Sequence, residues 1–97
     1  MFDYKLKVFY TVASRLSFSK AAEELNITQP AVTRHIQQIE NTLSQKLFER
    51  QGNRISLTNA GLVLLKHTKV IFDNYKALQF DLNALIDRTE GILKIGA

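Results

Sequence analysis

The sequence predicts a mainly α fold: a winged helix-turn-helix of three helices plus a two-stranded wing, followed by a long dimerisation linker helix. Three observations carry this. Three segments with helical apolar spacing follow one another within the first 43 residues, separated only by short polar breaks. Two short runs then flank a glycine-containing turn at Gln51-Gly52-Asn53. Finally, no helix breaker stands between Gly61 and Glu90.

The first helix reads from Phe2 to Leu16, where Phe2, Leu6, Phe9, Ala13 and Leu16 form one apolar stripe and Tyr4, Val8 and Val12 a second, so that it packs on two sides. Ser17-Phe18-Ser19 interrupts the pattern, and Ser19 is the candidate N-cap of a short helix over Lys20–Leu25. Ala21 and Ala22 keep that helix slim enough for close contact, and Asn26 is a residue type that accepts the left-handed conformation that ends a helix. Thr28 caps the third helix, which runs to Leu43 with Pro30 in its first turn, where the missing N–H has no intrahelical partner to lose. With successive residues set about 100° apart, Val32, Ile36, Ile39 and Leu43 share a side and belong to the core. Pro30, Thr33, Arg34, Gln37 and Asn41 fall opposite.

The runs 47–50 and 54–57 read as two strands with Ile55 and Leu57 turned inward, and a lone hairpin is marginal in water, so it must pack on the helices. Thr58 caps the last helix, which Gly91 ends. Some thirty residues at about 1.5 Å each span about 45 Å, more than so small a domain needs for its own core. Leu64, Ile71, Leu78 and Leu85 recur every seven residues with Thr68, Tyr75 and Leu82 between them, a seam for a second helix. The seam can also cover the domain's own core, a reading that the helix outruns by its length. Ile92–Gly96 reads as the opening of a strand. The expected division is therefore 1–57 for the winged helix-turn-helix, 58–90 for the linker helix, and 91–97 for the start of a further domain.

Composition narrows the function. The chain has 97 residues, 45% of them hydrophobic, and carries a net charge of +4. That is enough for one modest core and favours a polyanionic partner. Residues 1–57 hold eight Lys or Arg against five Asp or Glu, and 58–97 hold five against four, so the excess of +3 against +1 lies in the first part. Without cysteine there is no thiol chemistry, disulfide framework or thiolate metal site. His35 and His67 stand alone, with no further ligand at metal spacing, so no metal is expected. Glu23 and Glu24 are adjacent on a helix and point apart, which makes a poor acid–base pair, and the scattered glycines build no phosphate loop. The longest apolar run, Leu62–Leu65, is far from the roughly 20 residues of a membrane span. A soluble, cytoplasmic, non-enzymatic protein without catalytic residues is expected.

Lys20 to Leu43 spells helix, tight turn, helix, the arrangement that presents the start of the second helix to the major groove of DNA. The outward groups suit the task. Gln29 pairs with adenine N6 and N7, Arg34 with guanine O6 and N7, and Pro30 meets a thymine methyl, with Thr33 beside them. Ser17, Ser19, Lys20, Thr28 and Gln37 are candidates for the DNA backbone. Arg50 and Arg54 flank the hairpin turn, where either a minor-groove contact or plain solvation accounts for them.

These residues also carry a resemblance. Phe18-Ser19-Lys20-Ala21-Ala22-Glu23-Glu24-Leu25-Asn26-Ile27-Thr28-Gln29-Pro30-Ala31-Val32-Thr33-Arg34-His35-Ile36, then Ile39-Glu40, Leu47-Phe48-Glu49-Arg50 and Leu57-Thr58-Asn59-Ala60-Gly61, resemble the N-terminal domain of LysR-type transcriptional regulators. Asn26 departs from the glycine or other turn-former often found there. The resemblance implies base or backbone contacts at Gln29, Pro30, Thr33 and Arg34, and a linker helix that pairs two subunits. It also implies an effector-binding domain of two α/β lobes beginning near Ile92, taking a small molecule of unknown identity. The expected partners are double-stranded DNA and a second copy through Leu64, Ile71, Tyr75, Leu78, Leu82 and Leu85, with a tetramer left open for the full-length protein. Two other classes stand beside this one. A protein-interaction module would use the long helix and leave the rest as scaffold, and an enzyme would need a nucleophile or cofactor loop that the sequence lacks.

Overall fold

The computed structural model describes the backbone of residues 4–96 and the side chains of residues 4–86. Its elements are α1 (Tyr4–Arg15), α2 (Phe18–Leu25), α3 (Gln29–Leu43), β1 (Phe48–Gln51), β2 (Arg54–Leu57) and α4 (Asn59–Gly96). The mainly α fold with a two-stranded wing and a long final helix is thus the one that the periodicities predict.

Each helix contributes the face that its spacing foretells. Val8, Phe9 and Val12 of α1, Ala21 and Ala22 of α2, and Val32, Ile36 and Ile39 of α3 meet in one core, which Leu47 completes. Phe48 inserts between two rings, with Phe9 at 5.6 Å and Phe18 at 5.7 Å, and so fastens the hairpin to α1 and α2. Burying a side chain such as Phe9, which is 0% exposed, stabilises the fold by about 1.5–3 kcal/mol. Not every stripe residue joins the core. Leu16 lies past the end of α1 and is 48% exposed, and Leu43, the last residue of α3, is 46% exposed. Tyr4, at the start of α1, is likewise at the rim, and Phe2 is outside the described residues.

All three short helices end on a non-glycine residue in the left-handed region: Leu16 at φ 51°, Asn26 at φ 57° and Ser44 at φ 55°. After α2 and α3 the chain closes back on the helix, with Ile27 N–H donating to the Ala22 carbonyl and Gln45 N–H to the Glu40 carbonyl, both at 3.1 Å. Asn26 thus ends α2 as its residue type suggests. Replacing Ser44, whose side chain is exposed, by glycine is expected to stabilise the protein by roughly 0.5 kcal/mol. The relief of about 1–2 kcal/mol of left-handed strain is partly offset by the greater freedom of glycine in the unfolded chain. A urea midpoint at or below that of the wild type would contradict this.

At the helix starts, Thr28 Oγ1 accepts from Ala31 N–H, as expected. For α2 the cap is Ser17 rather than Ser19: Ser17 has extended backbone (φ −158°, ψ 124°) and its Oγ accepts from Lys20 N–H. The helix begins two residues earlier than the sequence suggests because Phe18 turns into the core beside Phe48, which fixes the first turn.

The hairpin pairs Phe48 with Leu57, Glu49 with Ser56, Arg50 with Ile55 and Gln51 with Arg54. Gly52 opens its two-residue turn at φ +63°, which only glycine adopts without strain.

A polar joint binds α3, the hairpin and α4. Glu40 Oε2 accepts from the N–H of fully buried Leu47 at 2.9 Å, while the Leu47 carbonyl accepts from Thr58 N–H at 3.0 Å. The Thr58 hydroxyl donates to the Lys46 carbonyl at 2.6 Å and accepts from Gly61 N–H at 3.0 Å, capping α4. Gly61 sits so close that a Cβ there would lie 2.2 Å from the Leu47 oxygen.

Beyond this joint α4 continues unbroken to Gly96, giving the protein dimensions of 64 × 26 × 20 Å. Gly91 does not end the helix and Ile92–Gly96 is not a strand: one glycine costs a helix only about 1 kcal/mol against alanine, and no neighbouring strand is there to pair with among the described residues.

Candidate nucleic-acid interface

Ser17 caps α2 and Thr28 caps α3, and the three-residue turn Asn26-Ile27-Thr28 brings those two helix starts to the same side of the molecule. On α3 the core side is taken by Val32, Ile36 and Ile39. The opposite side presents Gln29, Pro30, Thr33, Arg34 and Gln37, which together line one shallow concavity. All are exposed except Thr33, which is half-buried. Thr33 and Gln37 also line the adjacent cleft between α3 and the hairpin, with Phe18, Glu40, Lys46 and Arg50. The four expected base-reading residues and Gln37 are therefore one continuous surface that leads into the wing.

Hydrogen-bond roles separate the three hydroxyls. In Ser17 and Thr28 the oxygen accepts from the helix backbone, which leaves the O–H proton to donate outward. A phosphate oxygen is a suitable acceptor for such a proton. In Ser19 the order is reversed, the hydroxyl donating to Gln29 Oε1 at 3.1 Å across the helix-turn-helix.

Among the described residues, Arg34, Lys20 and Arg54 form no ion pair, so their charges are not neutralised within the fold. Arg15, by contrast, is bound to Glu24 at 2.7 Å on the far end of α2. The strand register puts Arg50 and Arg54 on opposite faces of the hairpin, since Arg50 pairs with inward Ile55. Arg50 lies 5.4 Å from the centre of the Phe18 ring, a cation–π contact that draws it toward the start of α2. Arg54 occupies the wing tip. The sequence offers no sign of the Arg50–Phe18 contact, because residues 32 apart meet only through the hairpin's docking.

The remaining expectations fall elsewhere. His35 packs edge-on against Tyr4 at 5.5 Å, with its Nδ1 buried and unpartnered, and no group of three potential metal ligands exists among the described residues. The seam of α4 changes surroundings along its length. Leu64 packs on the core and Thr68 is fully buried, its hydroxyl donating to the Leu64 carbonyl at 2.7 Å. Ile71 and Tyr75 are half-buried near the crossing of α1, where Tyr10 meets Phe72 at 5.4 Å. Leu78, Leu82 and Leu85 are 46%, 48% and 53% exposed. No helix among the described residues is long and apolar enough to cross a membrane.

Comparison with known proteins agrees with this geometry. Residues 4–62 match the family model described as bacterial regulatory helix-turn-helix protein, lysR family. The HTH-type transcriptional regulator CfxR of Cupriavidus necator is 40% identical over 92 residues, which are 95% of this chain and 29% of that protein. CbbR of Rhodospirillum rubrum, also an HTH-type transcriptional regulator, is 41% identical over 95% of this chain and 31% of its own length. This chain thus spans under a third of those curated relatives. Among solved structures, the CbnR DBD in complex with DNA aligns with a TM-score of 0.78 and 32% identity, over 84% of this chain and 93% of that one. The BenM DBD in complex with benA site 1 DNA aligns at 0.80 with 28% identity, over 84% and 92%.

Proposed function

Because this chain belongs to the LysR family of bacterial helix-turn-helix regulators, we propose that it is the DNA-reading part of a transcription regulator that binds a specific duplex as a dimer, with α3 in the major groove. The observation that carries this is the undivided surface of Gln29, Pro30, Thr33, Arg34 and Gln37 on the side of α3 with no duty in the core. Ser17, Lys20 and Thr28 take phosphates, which position the protein, and base edges at Gln29 and Arg34 supply discrimination. Arg54 at the wing tip reaches the neighbouring minor groove. The exposed leucines of α4 pair with those of a second copy, so each dimer holds two half-sites. A further domain following α4, a small-molecule effector for it, assembly of dimers into a tetramer and a cytoplasmic location complete the proposal.

Two substitutions separate base reading from charge. In fluorescence anisotropy against a duplex selected from a random pool, Arg34→Ala is expected to lose about 1–3 kcal/mol of preference at one base pair per half-site. Arg54→Ala is expected to weaken binding to all duplexes alike and to flatten the dependence on salt. If both variants bind the selected duplex as the wild type does, α3 and the wing are not docked this way.

A further inference from the structure

We propose that Ser19 is a positioning residue for Gln29: its hydrogen bond holds the Gln29 carboxamide in place at the base edge and so sharpens the base preference at that position. The inference rests on the DNA-reading role of α3. Ser19 is the second residue of α2 and Gln29 the first of α3, and the turn between the helices brings the Ser19 hydroxyl within 3.1 Å of Gln29 Oε1. Both residues are exposed, so the pair lies on the surface offered to the groove and not inside the fold.

The chemistry of the reading groups explains why Gln29 is the one that needs such a partner. An arginine guanidinium only donates, and proline offers an apolar ring. A carboxamide carries a donor and an acceptor on nearly isosteric arms, and half a turn about its last bond exchanges them. An untethered Gln29 must lose both its swing about the side chain and its choice of order when it meets a base edge, and a partner on the protein removes the first of these beforehand. With Ser19 donating to Oε1, one lone pair of that oxygen is occupied. In this arrangement the other lone pair and the two Nε2 hydrogens face outward, the pairing that adenine N6 and N7 require. The same bond removes Ser19 from the phosphate donors, since its only proton is already given, whereas Ser17 and Thr28 keep theirs.

The test is selection from a random duplex pool with the 97-residue chain as wild type, Ser19→Ala and Ser19→Thr, followed by affinities for the selected duplex and its single-position variants across salt. Ser19→Ala is expected to lose about three- to tenfold of discrimination at one position per half-site, with the other positions and the salt slope unchanged. Ser19→Thr, which keeps the hydroxyl, is expected to restore the wild-type preference. Uniform weakening across all duplexes with a shallower salt slope would make Ser19 a phosphate contact and overturn the proposal. An unchanged preference in Ser19→Ala would overturn it as well. Failure of the wild type to enrich any sequence is a different outcome, which removes the DNA-reading role of α3 and this inference with it.

Discussion

Gly61→Ala is expected to destabilise the protein by about 3 kcal/mol or more, a large share of the roughly 5–15 kcal/mol that holds a domain together. The added methyl would stand 2.2 Å from the Leu47 carbonyl oxygen and 2.8 Å from a methyl of Leu57. A side-chain end can swing away, but the carbonyl is backbone, and it is held by Thr58 N–H and by a residue that is itself fully buried. Either α4 lifts from the hairpin or the joint with Glu40 breaks. Gly52→Ala is the internal control: nothing lies within 4 Å of its Cβ position, and only the φ of +63° opposes the change, at about 1 kcal/mol. Urea unfolding of the two variants should therefore give clearly different midpoints. Equal midpoints would mean that the approach of Gly61 to Leu47 is not what makes glycine necessary.

The second large effect concerns association. Leu82→Lys is expected to raise the dimer dissociation constant at least about a hundredfold, because two-fold symmetry loses the burial of two leucines, about 1.5–3 kcal/mol each. Sedimentation should then show monomers, and binding to a two-half-site duplex should weaken in step. Leu82 suits this test better than Ile71, because Ile71 is half-buried beside the crossing of α1, whereas Leu82 is 48% exposed. A dimer of undiminished strength would mean that the second copy docks on another face.

What the sequence revealed and what it hid divide along physical lines. The interiors of α1 and α3 were legible because apolar spacing reports burial directly: Val8, Val12, Val32, Ile36 and Ile39 are where the stripes put them. The stripes overran at their ends. Leu16 has left the helix for the left-handed region and Leu43 is the last residue of α3, and periodicity carries no information about where a helix stops or how far its neighbours reach. The cap of α2 was ambiguous because Ser17 and Ser19 offer the same hydroxyl, and only the burial of Phe18 decides between them. That Gln29, Pro30, Thr33, Arg34 and Gln37 share the outward side of α3 was legible, yet the bond from Ser19 was not, since Ser19 and Gln29 meet through the angle of the turn. Glu40 is a similar case. Its carboxylate, 12% exposed, looks in sequence like a solvated neighbour of Ile39, while in the fold it secures the wing through the Leu47 N–H. Gly91 misled because a glycine marks a helix end only where the chain has another contact to turn toward.

The separation of duties around α3 also bears on how such a protein changes over generations. Gln29, Arg34 and Gln37 are exposed and outside the core cluster, so exchanging them changes the face that α3 offers at a stability cost usually within about 0.5 kcal/mol. Val32, Ile36 and Ile39 have no such latitude. The outward face of α3 and the folding core are thus nearly independent traits: substitutions can accumulate on the first through viable intermediates while one scaffold is kept.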